Sequence, residues 1–168
     1  MNICIVYTKM ALKIETWTDN PILRSVAEVI KQSEWKQYVK LGKEMVSYIK
    51  NPKHAWVWLA APQVWVSKRL IVVSLLKDWD DESFSTVMMF NPEVLEASEE
   101  ITNEIEEGCL SVPKDERGFL PRNKSIKLSY YDERMKQKII RLSDLPSVIV
   151  QHEIDHLNGI LYTDRLEK

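Results

Sequence analysis

The sequence predicts an α+β fold in which mainly antiparallel strands wrap one C-terminal helix that carries an H-E-x-x-H motif. Three observations lead there. Elements follow the order helices, strands, loop, strands, helix, which segregates the helices from an antiparallel sheet. Ser125–Tyr131 and Lys136–Ile140 alternate apolar and polar residues on either side of a polar Asp132–Met135 turn, as a hairpin does. The last periodic stretch, running into Gln151-His152-Glu153-Ile154-Asp155-His156-Leu157-Asn158-Gly159, has helix signals at both ends. Ser143 or Asp144 is placed to cap its start, Pro146 falls in the tolerant first turn, and Asn158-Gly159 supply a left-handed stop.

Each earlier element has its own warrant. Met10–Ile14 begins the recognisable chain, and residues 1–9 precede it as a possible extra strand or the product of an upstream start codon. Asn20-Pro21-Ile22-Leu23-Arg24 reads as a turn opening into a helix. A stronger helix follows from Ser33 to Lys50, with Trp35, Tyr38, Val39, Met45, Val46 and Ile49 on one stripe. Gly42 lies on that stripe at a cost of roughly 1 kcal/mol against alanine, which marks a close contact. After Asn51-Pro52, residues 56–63 read as a loop. Arg69–Leu75 is a β-branched run expected as a buried strand. Val87–Phe90 and Val94–Glu96 bracket Asn91-Pro92 as two short strands around a turn. Asp78–Ser85 is a polar loop.

Length and composition bound the rest. At 168 residues the chain fits one domain, residues 1–168, burying about 68–70% of its unfolded surface. A net charge of −2 and the absence of a concentrated Lys/Arg run argue against a nucleic-acid surface. No apolar run approaches the ~18 residues of a membrane span, and Met1–Lys9 is too short for a signal peptide. A cytoplasmic monomer with reduced thiols is the expectation, so Cys4 and Cys109 stay unpaired, and Cys4 reads as an ordinary terminal residue.

The chemistry centres on the helix. Residues four apart share a face, so His152 and His156 can ligate one divalent ion, while Glu153, about 100° round the helix, reaches a water beside it. A third ligand is needed. Downstream choices fail: the metzincin position is Tyr162, and the only Glu after His156 is Glu167. The ligand must lie upstream, where His54 is one candidate and Cys109, in Glu107-Gly108-Cys109-Leu110-Ser111, the better one. A thiolate is a strong ligand for zinc or ferrous iron, and Gly108 would let the backbone bend toward the ion.

Glu107–Ser111 together with Gln151–Gly159 resembles the second and third signature motifs of the peptide deformylases, the metal-dependent amidases that remove the formyl group from the N-terminal methionine of nascent chains. Their first motif, G-x-G-L-A-A-x-Q, falls on Trp56–Gln63, with both glycines replaced. The resemblance covers about Met10 to Leu166. It implies that Cys109, His152 and His156 hold the metal, Fe²⁺ in the first place with Zn²⁺, Ni²⁺ or Co²⁺ also suited, and that Glu153 is the acid–base. It makes the Gln63 amide and the backbone N–H of Leu110 the donors to the developing oxyanion. It suggests Val57, Trp58, Val148 and Ile149 as lining for the substrate's methionine, and Glu107, Arg122 and Asp155 as the groups that orient the histidines. The partners implied are N-formyl-methionyl peptides or nascent chains. The basic terminal helix linked to ribosome docking has no counterpart after Leu166, so that docking mode is not carried over. Arg117 does not map cleanly onto a substrate-binding position, because the loop between Cys109 and Arg122 is one residue longer than in common members.

The departures have two readings. Trp56, Trp58 and Trp65 stand where the family has small residues, which implies a cleft blocked or reshaped, and hence a non-catalytic metal-binding protein as an alternative to the enzyme. A zinc peptidase of another class is the second alternative. The other reading rests on composition. Only four glycines occur among 168 residues, against an average near 7%. Trp17 and Trp79 also sit in turn-like contexts. Five UGA codons meant as glycine and translated as tryptophan would raise glycine from four to nine.

Overall fold

The computed structural model describes residues 12–54, 56–113 and 116–166. The leading segment with Cys4, and Glu167, lie outside them. Strands β1 (Trp58–Ala60), β2 (Leu70–Leu75), β3 (Ser85–Ala97), β8 (Ser125–Tyr131) and β9 (Gln137–Ser143) form an antiparallel sheet in the order β1-β2-β3-β8-β9. Two small antiparallel ladders join β4 (Ile101–Thr102) to β7 (Arg122–Asn123) and β5 (Glu106–Glu107) to β6 (Gly118–Phe119). Helix α1 (Trp35–Ile49) covers one face of the large sheet and α2 (Leu145–Leu157) the other.

Strand β2 shows why this order holds. Leu70 and Val72 pack with Trp35, Tyr38, Leu41 and Met45 of α1, whereas Ile71 and Val73 pack with Leu145, Ile149 and Val150 of α2. A strand covered on both faces needs apolar residues at every position, so it reads as a run and not as an alternation. Gly42 lets α1 lie close to the sheet: a Cβ there would lie 2.7 Å from Met88 Sδ.

Four expectations are corrected. Asn20–Arg24 forms turns and no helix, because the chain beyond it spends its backbone on distant partners, Ala27 N–H donating to Leu157 O at 2.8 Å and Arg69 N–H to Glu28 O at 2.9 Å. Residues 56–63 contain β1 and the start of a 3₁₀ turn (Ala61–Val64) instead of a loop. Asn91-Pro92 does not separate two strands. Asn91 takes φ 50° in a bulge within β3, and its side chain bonds both N and O of Ile30, at 2.8 and 3.0 Å. Neither Ser143 nor Asp144 caps α2 with its side chain: Ser143 ends β9, and Asp144 turns at φ 57°, ψ −131° with its N–H on Lys124 O.

The expected stop of α2 is found at Gly159, φ 74°, where a Cβ would meet the Arg24 backbone at 2.7 Å. Only glycine satisfies both the left-handed backbone and that contact. Trp65 is also left-handed, at φ 67°, ψ 24°, a conformation that costs a residue with a Cβ about 1–2 kcal/mol.

Candidate metal centre

Helix α2 is buried on nearly every side, and its second half brings His152, Glu153 and His156 under the edge strand β1. Gln151 fixes the helix to β7: its side chain accepts from Asn123 N at 3.1 Å and donates to Asn123 O at 2.8 Å. Leaving β5, the chain turns at Cys109, with Val112 N–H on Cys109 O at 3.2 Å, and this turn lays the thiol against the helix. The adjoining Gly108 is not in the left-handed region. Its smallness matters for space instead, since a Cβ would lie 3.3 Å from Arg117 Nε.

One ligand atom each from Cys109, His152 and His156 falls within 4.8 Å of the others. Cys109 Sγ is 3.2 Å from His156 Nε2 and receives N–H contacts from Gln63 Nε2 at 3.3 Å and Ser111 N at 3.4 Å. His152 and His156 are 3% and 1% exposed, yet His152 Nε2 and His156 Nδ1 have no hydrogen-bond partner. Buried polar atoms are ordinarily satisfied. A sulfur and two imidazoles converging in a buried site, with a nitrogen of each ring left unsatisfied, are a donor set for a borderline-soft divalent ion, so these residues fit a metal. His54, the other upstream candidate, lies elsewhere, stacked on Tyr48 at 3.8 Å with Nδ1 on Tyr48 O at 2.7 Å.

The electrostatics follow from depth. Burial, reinforced by the nearby Glu153 and Glu107 carboxylates, pushes the Cys109 thiol up to about 12. Burial, with the Glu107 carboxylate, lifts Glu153 well above the usual range, and burial with the His152 and Arg122 charges drives His156 well below it. Glu153 is fully enclosed, and neither of its oxygens has a hydrogen-bond partner. Depth thus disfavours charge on the thiol, on Glu153 and on His156 alike.

Gln63, 1% exposed, is locked by its own turn: Oε1 accepts Ala60 N–H at 2.9 Å while Nε2 faces Cys109 and Ser111 Oγ. Leu110 follows the thiol directly and packs against the α1 side of the sheet. Ile149 is 1% exposed inside the core, Val148 is buried, and Val57 is half-buried, its carbonyl held by Ser74 N–H. Trp58 puts its ring 6.4 Å from that of His152.

Behind the histidines runs a chain of paired charges. Glu107 Oε2 is 2.6 Å from His152 Nδ1, and burial, which would raise this carboxyl, is outweighed by the His152 and Arg122 contacts that lower it. Arg122 grips Glu107 through Nε at 2.8 Å and Nη2 at 3.0 Å, and reaches Asp155 through Nη1. Arg165 completes the row with two bonds to Asp155, at 2.8 and 2.7 Å. Two guanidinium groups thus neutralise two carboxylates, as buried charges require. Arg165 was not legible from the motifs; its one signal is an arginine nine residues beyond His156, close enough to fold back. Tyr162, considered only as a missing ligand, stacks on His152 at 5.7 Å. Arg117 pairs with Glu106 at the surface at 3.7 Å. Orienting partners of this kind are worth 10–100-fold in metal affinity. Glu107→Ala is expected to weaken binding by about that factor in a chelator competition titration.

A groove of about 940 Å³ lined by Ile30, Trp35, Arg69, Pro92 and Tyr131 contains none of these residues.

Comparison with known proteins agrees with the motifs. Residues 11–168 match the family model described as polypeptide deformylase. The chain is 40% identical over 162 residues to the peptide deformylase of Ligilactobacillus salivarius, covering 89% of this chain and 87% of the relative. It is 40% identical over 159 residues to that of Chlorobium phaeobacteroides, covering 95% and 82%. The Met-Ala-Ser-bound class I type b peptide deformylase of Acinetobacter baumannii superposes with TM-score 0.81 at 34% identity, covering 95% of this chain and 100% of that one. The peptide deformylase of Thermotoga maritima gives 0.82 at 31% identity, covering 95% and 99%.

Proposed function

The chain belongs to the polypeptide deformylase family, and we propose that it hydrolyses the formyl group from N-formyl-methionyl peptides, using one divalent ion held by Cys109, His152 and His156. The observation that carries this is the convergence of a buried thiol and two buried imidazoles, each ring with one nitrogen that has no hydrogen-bond partner, next to a carboxyl that has none either. Bound there, a divalent ion supplies Lewis acidity and a lowered pKa for a water. Fe²⁺ is the ion proposed; Zn²⁺ suits the same donors.

The protein's own groups supply the remaining steps. Glu153 takes a proton from the attacking water as oxygen adds to the formyl carbon, then gives it to the departing amine as the C–N bond breaks and formate leaves. Gln63 Nε2, on an amide held through its Oε1 by Ala60 N–H, and the Leu110 N–H donate to the oxygen on which charge grows. Glu107, backed by Arg122, Asp155 and Arg165, holds the His152 ring in place. Ligands such as the Met-Ala-Ser of the Acinetobacter structure support a peptide substrate, with nascent chains as the source. Among the described residues no helix is long and apolar enough to cross a membrane.

The test is formate release from formyl-Met-Ala-Ser by the metal-loaded protein, abolished by a chelator and restored by the ion. A peptidase of another class would cut an internal peptide bond and release no formate. Gln63→Ala is expected to lower kcat by on the order of 10²–10³ with metal content unchanged, read in the same assay.

A further inference from the structure

The six tryptophans are of two kinds. Trp35 is an ordinary core residue: 7% exposed, Nε1 donating to Glu133 O at 3.3 Å, its ring 4.8 Å from Phe90 and 6.0 Å from Tyr131. Each of the other five departs from this in its own way. Trp17, Trp65 and Trp79 are 64%, 50% and 59% exposed. Trp17 opens a tight turn closed by Asn20 N–H on its carbonyl at 2.9 Å, and Trp79 lies in the turn Asp78–Asp81. Trp65 caps the 3₁₀ turn of Gln63 in the left-handed region. Trp56 and Trp58 bury their Nε1 atoms without any partner, although a buried indole N–H usually finds one.

Glycine accounts for each of the five separately. It enters the left-handed region without a Cβ to obstruct it, suits the turns, and leaves no orphaned N–H beside the metal centre. It also lifts a glycine content of four in 168 residues toward the usual level. The consequence for the site is large. Trp58 stands between Trp56 and Trp79, with ring centroids 5.5 and 5.7 Å away, and its own ring lies 6.4 Å from that of His152. Glycine at those positions removes all three rings and leaves the bare backbone of the edge strand β1 next to the centre.

We infer that positions 17, 56, 58, 65 and 79 are glycine in the protein its source makes, encoded by UGA codons that specify glycine there, and that the peptide cleft beside His152 is the space which the glycines leave open. The cleft half rests on the deformylase reading; the codon half does not.

Two experiments decide it. The gene is expected to carry UGA at all five positions and UGG at position 35; UGG at 56, 58 and 65 would overturn the assignment. Second, the chain as written is compared with one carrying Trp17→Gly, Trp56→Gly, Trp58→Gly, Trp65→Gly and Trp79→Gly, both metal-loaded. The substituted chain is expected to release formate from formyl-Met-Ala-Ser with at least tenfold higher kcat/KM. Equal or lower kcat/KM overturns the cleft claim. Silence from both chains overturns the deformylase reading, and the codons still decide the glycine assignment. Trp65→Gly alone, at a position outside the ring row, should raise Tm by about 2–4 °C; a fall overturns the left-handed argument independently of activity.

Discussion

Replacing Glu153 by alanine is expected to lower kcat for formate release by on the order of 10³–10⁴ while bound metal stays at one ion per chain. The carboxyl is fully enclosed and makes no hydrogen bond, so nothing in the fold depends on it as a partner. It sits 3.9 Å from His152 Nε2, on the helix that carries both imidazoles, yet it falls outside the group of converging ligand atoms. Kinetic loss with retained metal is the signature of a proton carrier and not of a ligand. Glu153→Gln keeps the volume and removes the basicity, and it should fail to the same extent. Metal analysis alongside initial rates makes the distinction.

Cys109→Ala should do the opposite, releasing the ion and the activity together. With the sulfur gone, two imidazoles remain in a pocket whose depth already disfavours charge on His156. Loss of an orienting partner alone costs 10–100-fold in affinity, so loss of a direct ligand should exceed about 10²-fold. His54→Ala is the contrast, since its ring is occupied by Tyr48, and metal content should not change. Chelator competition measures both.

How much of this was legible follows from where the information lies. The H-E-x-x-H helix and its glycine stop are local, and one turn of helix fixes the spacing of the imidazoles. Cys109 is 43 residues from His152 in sequence, and the exhaustion of downstream ligands pointed to it because a thiolate has few other uses there. The bulge at Asn91 was misread because its positive φ is held by Ile30, 61 residues away, a partner no window of sequence reveals. Strands β4 to β7 are two residues each, too short for alternation. Arg165 carries no motif, and only its two bonds to Asp155 tie it to the centre.

The most direct measurement is formate production from formyl-Met-Ala-Ser by the iron-loaded chain carrying glycine at the five tryptophan positions, with metal quantified in the same sample. The account predicts stoichiometric formate with one bound ion, and no formate once Cys109 is replaced. One bound ion with no formate, or formate undiminished by Cys109→Ala, would contradict it.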